Sequence, residues 1–434
     1  MSPNAPPTPT RARYTVVAFT LALVALAYLD RICISTAAPA IKGELGLSDS
    51  EMGWVFSAFT LAYALFEVPS GWLADRFGAR LTLTRIVVWW SAMTAATGLT
   101  VGFRSLATVR FLFGMGEAGA LPATARAYAH WLPHAERGRA FGLAIMTGAL
   151  GGALTQPLVV LLLGVMTWRH TFAAFGALGL VWAGAWWAWF RDDPGEHRAV
   201  NAAELREITE GGAVSRAREA VPWSAILRNP SLLALCAMYG CAIYGWYFYI
   251  TWLPTYLLRV RGFDLRQAGF LSALPLLAIA AGVFAGGAAS DRLAKRWGAR
   301  RGRRAPGLLG LPLAALAVSA GITTPDAFGS ALLLAAAAGL AALGVAPAWV
   351  VSTEIGGVHA GVVSGAMNTI GNLGGALSPV MIGISLDRWG SWQAPLFSVA
   401  VLYVAAGLCW LLVDPALRIE PDEAPAAGLV ARSR

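Results

Sequence analysis

Four ionisable residues stand inside otherwise apolar stretches of this chain: Asp30, Arg31, Arg110 and Glu117. Their types suit two jobs. The planar guanidinium of Arg binds a carboxylate through two parallel charge-assisted hydrogen bonds and never loses its charge. A buried Asp or Glu can carry a proton, because burial disfavours the carboxylate while a neighbouring guanidinium favours it. Arg110 and Glu117 are seven residues apart, which puts both on one helix face, two turns apart. Asp30 and Arg31 are adjacent and point about 100° apart, so one can face a central cavity while the other meets Glu117 or Arg110. Glycines at 114, 116 and 119 let a neighbour approach that face closely.

The elements that must position these charges are membrane helices. Of 434 residues, 57% are hydrophobic and only 13% charged, where a soluble chain would have about a quarter charged. A span needs about 20 mostly apolar residues. Breaks at charges, Gly and Pro predict spans near 14–37, 51–74, 81–102, 104–127, 138–164 and 168–190, then 231–258, 267–293, 306–324, 328–353, 360–386 and 391–414. The expected fold is therefore all-α and integral to the membrane, with 12 transmembrane helices in two six-helix bundles, 14–190 and 231–414. A tail (1–13), a linker (191–230) and a second tail (415–434) complete it. The first apolar run is expected to stay as a span rather than be cleaved as a signal peptide, because Asp30 and Arg31 follow within it. Asn201-Ala-Ala-Glu204 in the linker is a capping-box pattern that predicts a short surface helix. In a membrane, each buried charge costs roughly 2.5–3.5 kcal/mol at the bilayer centre. The four formal charges cancel, so a purely structural ion cluster is the plain alternative. Buried pairs stabilise poorly against apolar packing, which argues for function.

The net charge of +9 resolves by position. Of the 33 Lys and Arg residues, 24 fall on one set of alternate loops and tails, 7 on the other, and Arg31 and Arg110 lie within spans. That is the positive-inside pattern, predicting cytoplasmic termini. The basic residues face anionic lipid, which excludes a nucleic-acid partner. Cys33, Cys236, Cys241 and Cys409 lack metal-ligand spacing and read as buried free thiols. Neither a metal nor a cofactor is expected: His130 and His134 have no zinc-motif acid, no phosphate-cradling loop occurs, and nothing resembles a nucleophile–base pair.

The halves repeat. Gly71-Trp-Leu-Ala-Asp75-Arg76-Phe-Gly-Ala-Arg80 after the second span is echoed by Gly287-Ala-Ala-Ser-Asp291-Arg292, and Gly148-Ala-Leu-Gly-Gly-Ala-Leu in the fifth by Gly371-Asn-Leu-Gly-Gly-Ala-Leu in the eleventh. Duplicated units of this kind place a transport site between halves that rock about it.

With these motifs, the chain resembles the major facilitator superfamily, whose signature the 71–80 loop matches. Within it, Tyr28-Leu-Asp30-Arg31, Arg110 to Glu117, Tyr249 to Tyr256 and Asn368-Thr-Ile-Gly-Asn372 resemble the anion:cation symporter branch, which includes galactonate and hexuronate symporters. The resemblance implies proton coupling at Asp30 and Glu117, substrate and coupling roles for Arg31 and Arg110, and a cytoplasmic latch of Asp75, Arg76, Arg80, Asp291 and Arg292. Ala27 and Gln156 depart from the branch's pattern. Tyr28, Tyr63, Gln156, Tyr244, Tyr247, Asn368 and Asn372 are polar residues expected at the cavity, where they would suit a polyhydroxylated substrate. Tyr249, Trp252 and Tyr256 read as an interfacial belt, and Glu67 as gate or scaffold. The expected function is proton-coupled symport of a small organic anion, most consistently a sugar acid, by a monomeric bacterial inner-membrane transporter. A facilitator or proton antiporter of another small carboxylate or drug-like solute is the alternative, and an apolar or cationic solute would leave the arginines without a partner.

Overall fold

The computed structural model describes residues 8–210 and 222–419. The first half is built from α1 (Ala12–Leu45), α2 (Asp49–Thr97), α3 (Phe103–Glu117), α4 (Ala120–Trp131), α5 (His134–Leu163) and α6 (Trp168–Trp189). Two short helices, α7 (Ala202–Glu210) and α8 (Trp223–Arg228), connect it to the second half. That half comprises α9 (Pro230–Thr251), α10 (Leu253–Arg259), α11 (Leu265–Trp297), α12 (Ala299–Thr323), α13 (Ala327–Ala342), α14 (Val345–Gly356), α15 (Ala360–Trp389) and α16 (Gln393–Cys409). Eight helical stretches among the described residues are long and apolar enough by themselves to cross a membrane. The remaining spans come from α2, which bends into two, from α3 with α4, and from α16. Twelve spans result, six per half.

The α2 bend has a sequence cause. Gly78 adopts φ 80° and ψ 163° inside the run Asp49–Thr97, a left-handed region that favours glycine. The Asp192 carboxylate just beyond α6 then accepts from the freed Ala79 and Arg80 amides at 2.7 and 3.1 Å. Gly298, between α11 and α12, repeats the conformation with φ 82° and ψ 160°. Around it Arg296-Trp-Gly-Ala-Arg300 copies Arg76-Phe-Gly-Ala-Arg80. The duplication thus runs further than the Gly287–Arg292 echo showed.

The Gly-rich echo also acquires a physical reason. A Cβ on Gly148 would stand 2.6 Å from the Tyr28 ring, and one on Gly375 would stand 2.4 Å from the Tyr247 ring. In each half, small residues of the fifth helix seat an aromatic ring from the first. At Gly374 a Cβ would meet the Gly240 carbonyl oxygen at 2.3 Å, and backbone cannot swing aside. Gly374→Ala is therefore expected to destabilise the detergent-solubilised protein by about 1–3 kcal/mol, read as a lower Tm. Gly365→Ala, which meets nothing within 4 Å, is expected to leave Tm unchanged.

The linker region brings a correction. Residues 8–13 are not a loose tail: α1 starts at Ala12, and Glu204 of α7 accepts from the Ala12 and Arg13 amides at 3.1 and 3.0 Å and from the Thr10 hydroxyl at 2.5 Å. Asn201 caps its own helix by accepting from the Glu204 amide at 2.9 Å. The Glu204 side chain does not return the bond; it caps α1 instead. Residues 1–7, 211–221 and 420–434, which fall within the predicted tails and linker, lie outside the described residues.

The face bearing the start of α1 is termed the terminal face and the opposite one the distal face. The distal seam between halves is dense. Asp387 of α15 accepts from the Asp49 and Ser50 amides at 3.0 and 2.8 Å, capping α2 across the seam. Arg259 at the end of α10 reaches Asp49 at 2.9 Å, and Lys42 of α1 pairs with the same carboxylate. Deeper in, a Cβ on Gly53 would lie 2.4 Å from the Pro379 carbonyl oxygen. Tyr249, Trp252 and Tyr256, expected as an interfacial belt, are instead 0–1% exposed. Trp252 sits at the α9–α10 break, donates to the Pro379 carbonyl at 3.1 Å and packs edge-on against Phe56 of the other half at 5.5 Å. Aromatic residues near a helix end belong to a seam here, which hydropathy alone could not distinguish from lipid.

Candidate functional site

The site lies where α1, α2 and α3 meet α9 and α15. α3 ends at Glu117 and α4 begins at Ala120, so Glu117 stands at a break in the fourth span. The break is slight: Ala118 keeps helical angles (φ −53°, ψ −25°) and Gly119 departs only modestly from them (φ −92°, ψ 3°). The glycines around it admit α2: Cβ atoms on Gly114, Gly116 and Gly119 would strike the Phe59 carbonyl, the Trp89 ring and the Ser70 Cβ at 2.3, 2.0 and 2.6 Å.

Arg31 of α1 donates through Nη2 to Glu117 Oε1, and the pair is mostly enclosed, with side-chain exposures of 19% and 2%. The guanidinium carbon lies 5.3 Å from the Tyr28 ring centre and 5.0 Å from those of Phe59 and Tyr63. Such contacts are worth about 0.5–2 kcal/mol each and hold the fork in one plane. Tyr247 of the second half is close enough to interact with the Arg31 charge. Arg31 is thus the charge turned toward the second half.

Asp30 and Arg110 lie behind it, 1% and 2% exposed. Asp30 is within reach of the charges of Arg110 and Glu117. Arg110 stacks at 5.2 Å on Phe59 and 4.6 Å on Phe113. Phe59 is therefore shared by the two guanidiniums. Sequence reasoning missed it, although its spacing with Tyr63 and Glu67 marks one helix face. Thr94 is the hydrogen-bond neighbour of Asp30, while Glu117 Oε2, Arg31 Nε and Arg110 Nε are buried without a partner among the described residues. A group of polar atoms this far from satisfied is unusual for a purely structural cluster.

The other sequence candidates divide. Tyr28, Tyr239 and Tyr247 lie near one another, and Tyr239 lies near Glu67, which gathers them around the Arg31 side of the seam. Tyr239 also accepts from the Trp349 indole at 3.1 Å. Asn368 donates across the seam to both Glu67 oxygens at 3.1 and 3.0 Å, and Asn372 is half-buried one turn along α15. Gln156 is fully enclosed between α1 and α5, its carbonyl accepting from the Thr36 hydroxyl. The Tyr244 hydroxyl is bonded to Ser398 at 3.3 Å, tying α9 to α16 within the second half.

Among the latch candidates, Arg80 donates to the Trp187 carbonyl at 2.6 Å and Arg76 lies 5.6 Å from the Phe77 ring. The Asp75 side chain lies outside the described residues. Asp291 pairs with Arg303 at 2.5 Å, and Arg303 also reaches Glu354 at 2.9 Å. Arg292 is exposed, and Arg300 rather than Arg292 mirrors Arg80, pairing with Asp414 beyond α16 at 3.1 Å. All these bonds tie helices within one half.

Comparison with known proteins agrees with this architecture. The probable sulfoacetate transporter SauU of Cupriavidus necator is 36% identical over 95% of this chain and 96% of its own length. The D-galactonate transporter of Escherichia coli O6:H1 is 28% identical, covering 95% of this chain and 98% of that protein. A bacterial homolog of the human lysosomal transporter Spinster, in an inward-facing and occupied conformation, superposes with a TM-score of 0.76 at 22% identity, over 92% of this chain and 96% of that one; this likeness concerns the fold. The Major Facilitator Superfamily profile matches residues 20–379. The chain is a multi-pass membrane protein that belongs to the Major Facilitator Superfamily, a family of transporters and not of enzymes.

Proposed function

We propose that this chain is a proton-coupled symporter of a small organic anion of the sugar-acid class, in a bacterial inner membrane, with the terminal face cytoplasmic. The observation that carries the reading is the Arg31–Glu117 pair at a helix break facing the seam. The incoming carboxylate takes the Arg31 fork, which Glu117 otherwise occupies. Released from the guanidinium, Glu117 accepts a proton. Anion and proton then favour each other's binding, and linkage makes the effect mutual. Once both leave, Arg31 and Glu117 re-pair, so neither a bare proton nor a bare anion is carried efficiently. Asp30, behind the pair with Arg110, serves as a second proton site, and the carboxyls titrate as a set. Tyr28, Tyr63, Tyr247 and Asn368 offer hydroxyl and amide partners to a polyhydroxylated chain.

The two six-helix units rock about this site. The distal seam of Asp49, Arg259 and Asp387 is one gate, and the Arg80 and Arg303 bonds bias the other by bracing each half. The relatives named for sulfoacetate and D-galactonate support an anionic substrate. The test is uptake of a panel of labelled hexonates, hexuronates and aldarates into proteoliposomes under an inward proton gradient, and separately under an inward sodium gradient. Accumulation of an acid under the proton gradient alone supports the reading. A folded protein that takes up none of them refutes the substrate class.

A further inference from the structure

The charge count of the cavity changes once Glu67 is included. The four charges read first cancel, but Glu67 projects from α2 one turn beyond Tyr63, a rise of about 6 Å toward the terminal face. The Arg31 guanidinium lies 5.0 Å from the Tyr63 ring centre, so Glu67, one turn further along the same face, stands on the same side of the seam. Both Glu67 carboxyl oxygens accept from the single Asn368 amide nitrogen, at 3.1 and 3.0 Å. Glu67 thereby consumes the amide donor that a second acid group would need, and it leaves Asn368 Oδ1 as an acceptor. Along this side of the seam, one end offers the Arg31 guanidinium and the other the oxygens of Glu67 and Asn368.

Building on the anion-site reading above, we infer that Glu67 sets the charge class of the substrate: an anion with one acid group and hydroxyls at its far end is preferred to one acidic at both ends. Hydroxyls donate to the Glu67 and Asn368 oxygens. A second carboxylate or sulfonate has no proton to give and meets a like charge in a low-dielectric pocket. Repulsion there, over several ångströms, is worth about tenfold or more in affinity. Relatives named for sulfoacetate and for galactarate and D-glucarate, substrates with two acid groups, weigh against the preference, and those named for D-galactonate and hexuronate weigh for it.

The test uses acid pairs that differ only at the far end, gluconate with glucarate and galactonate with galactarate. Each competes in counterflow at equal pH on both sides, so that proton coupling is not read. Wild type is expected to favour the monoacid by about tenfold or more. Glu67→Gln should shift the diacid-to-monoacid affinity ratio toward the diacid by about tenfold, since it removes the like charge and one of the oxygens that accept from the monoacid's hydroxyls. Glu67→Asp, which keeps the charge, should keep the preference. The inference is overturned if wild type favours the diacid, if Gln and Asp variants behave alike, or if Gln weakens both acids equally. Selective loss of the diacid in Glu67→Gln also overturns it, by making Glu67 a proton carrier for the second acid group. A wild type that carries neither member of either pair refutes the hexonate and aldarate reading on which this inference rests.

Discussion

Glu117→Gln is expected to abolish uphill transport while leaving exchange intact. With one proton per anion, an inward gradient of one pH unit supports about tenfold accumulation, since a pH unit is worth about 1.36 kcal/mol. Gln keeps the shape of Glu117 but neither titrates nor competes as an anion for the Arg31 fork. Proteoliposomes carrying the variant should equilibrate a labelled sugar acid without concentrating it. Counterflow should persist, with a substrate affinity no weaker than that of wild type, because the resident carboxylate no longer occupies Arg31. Retained accumulation would move the proton role to Asp30 or to another ion. Loss of counterflow as well would make the Arg31–Glu117 pair a structural tie.

Arg31→Lys carries the second large effect. Lys keeps the positive charge but presents a compact ammonium in place of a planar fork. It loses the bidentate geometry toward a carboxylate and weakens the cation–π contacts with Tyr28, Phe59 and Tyr63, whose ring centres lie 5.0–5.3 Å from the guanidinium carbon. Losing one charge-assisted hydrogen bond and part of those contacts costs about 1.5–3 kcal/mol, so the apparent affinity for the anion should fall by about 10- to 100-fold. Binding measured by isothermal calorimetry or by counterflow half-saturation checks this. An unchanged affinity would show that Arg31 acts through charge alone, or that the carboxylate is held elsewhere.

Much of this was legible in the sequence because membranes simplify the reading. Apolar run length counts the spans, the cost of buried charge draws the eye to Asp30, Arg31, Arg110 and Glu117, and two echoed motifs expose the duplication. The parts that were not legible depend on facing rather than on type. Phe59 is one Phe among 18 until its ring is seen between two guanidiniums. Trp252 and Tyr256 look like belt residues until the seam buries them. Asp49, Arg259 and Asp387 belong to loops or helix ends far apart in the chain, and only the closed distal seam joins them. The glycine at 298 was readable, since Arg296 to Arg300 copies Arg76 to Arg80 with one changed residue; four extra residues after Arg292 hid the register. Glu204 followed a capping-box spacing, yet its carboxylate went to the orphan amides of α1, because those were the unsatisfied donors within reach.

The central claim is that anion and proton cross together through the Arg31–Glu117 site. The most direct measurement starts with wild-type proteoliposomes at equal internal and external pH, clamped at zero potential and loaded with a pH-sensitive dye. A transported sugar acid is then added outside. Coupled entry predicts that the lumen acidifies as the acid enters, that the acidification stops when the anion gradient is spent, and that Glu117→Gln vesicles take up the anion without it. Anion entry into wild-type vesicles with no change in lumenal pH would contradict symport through this site.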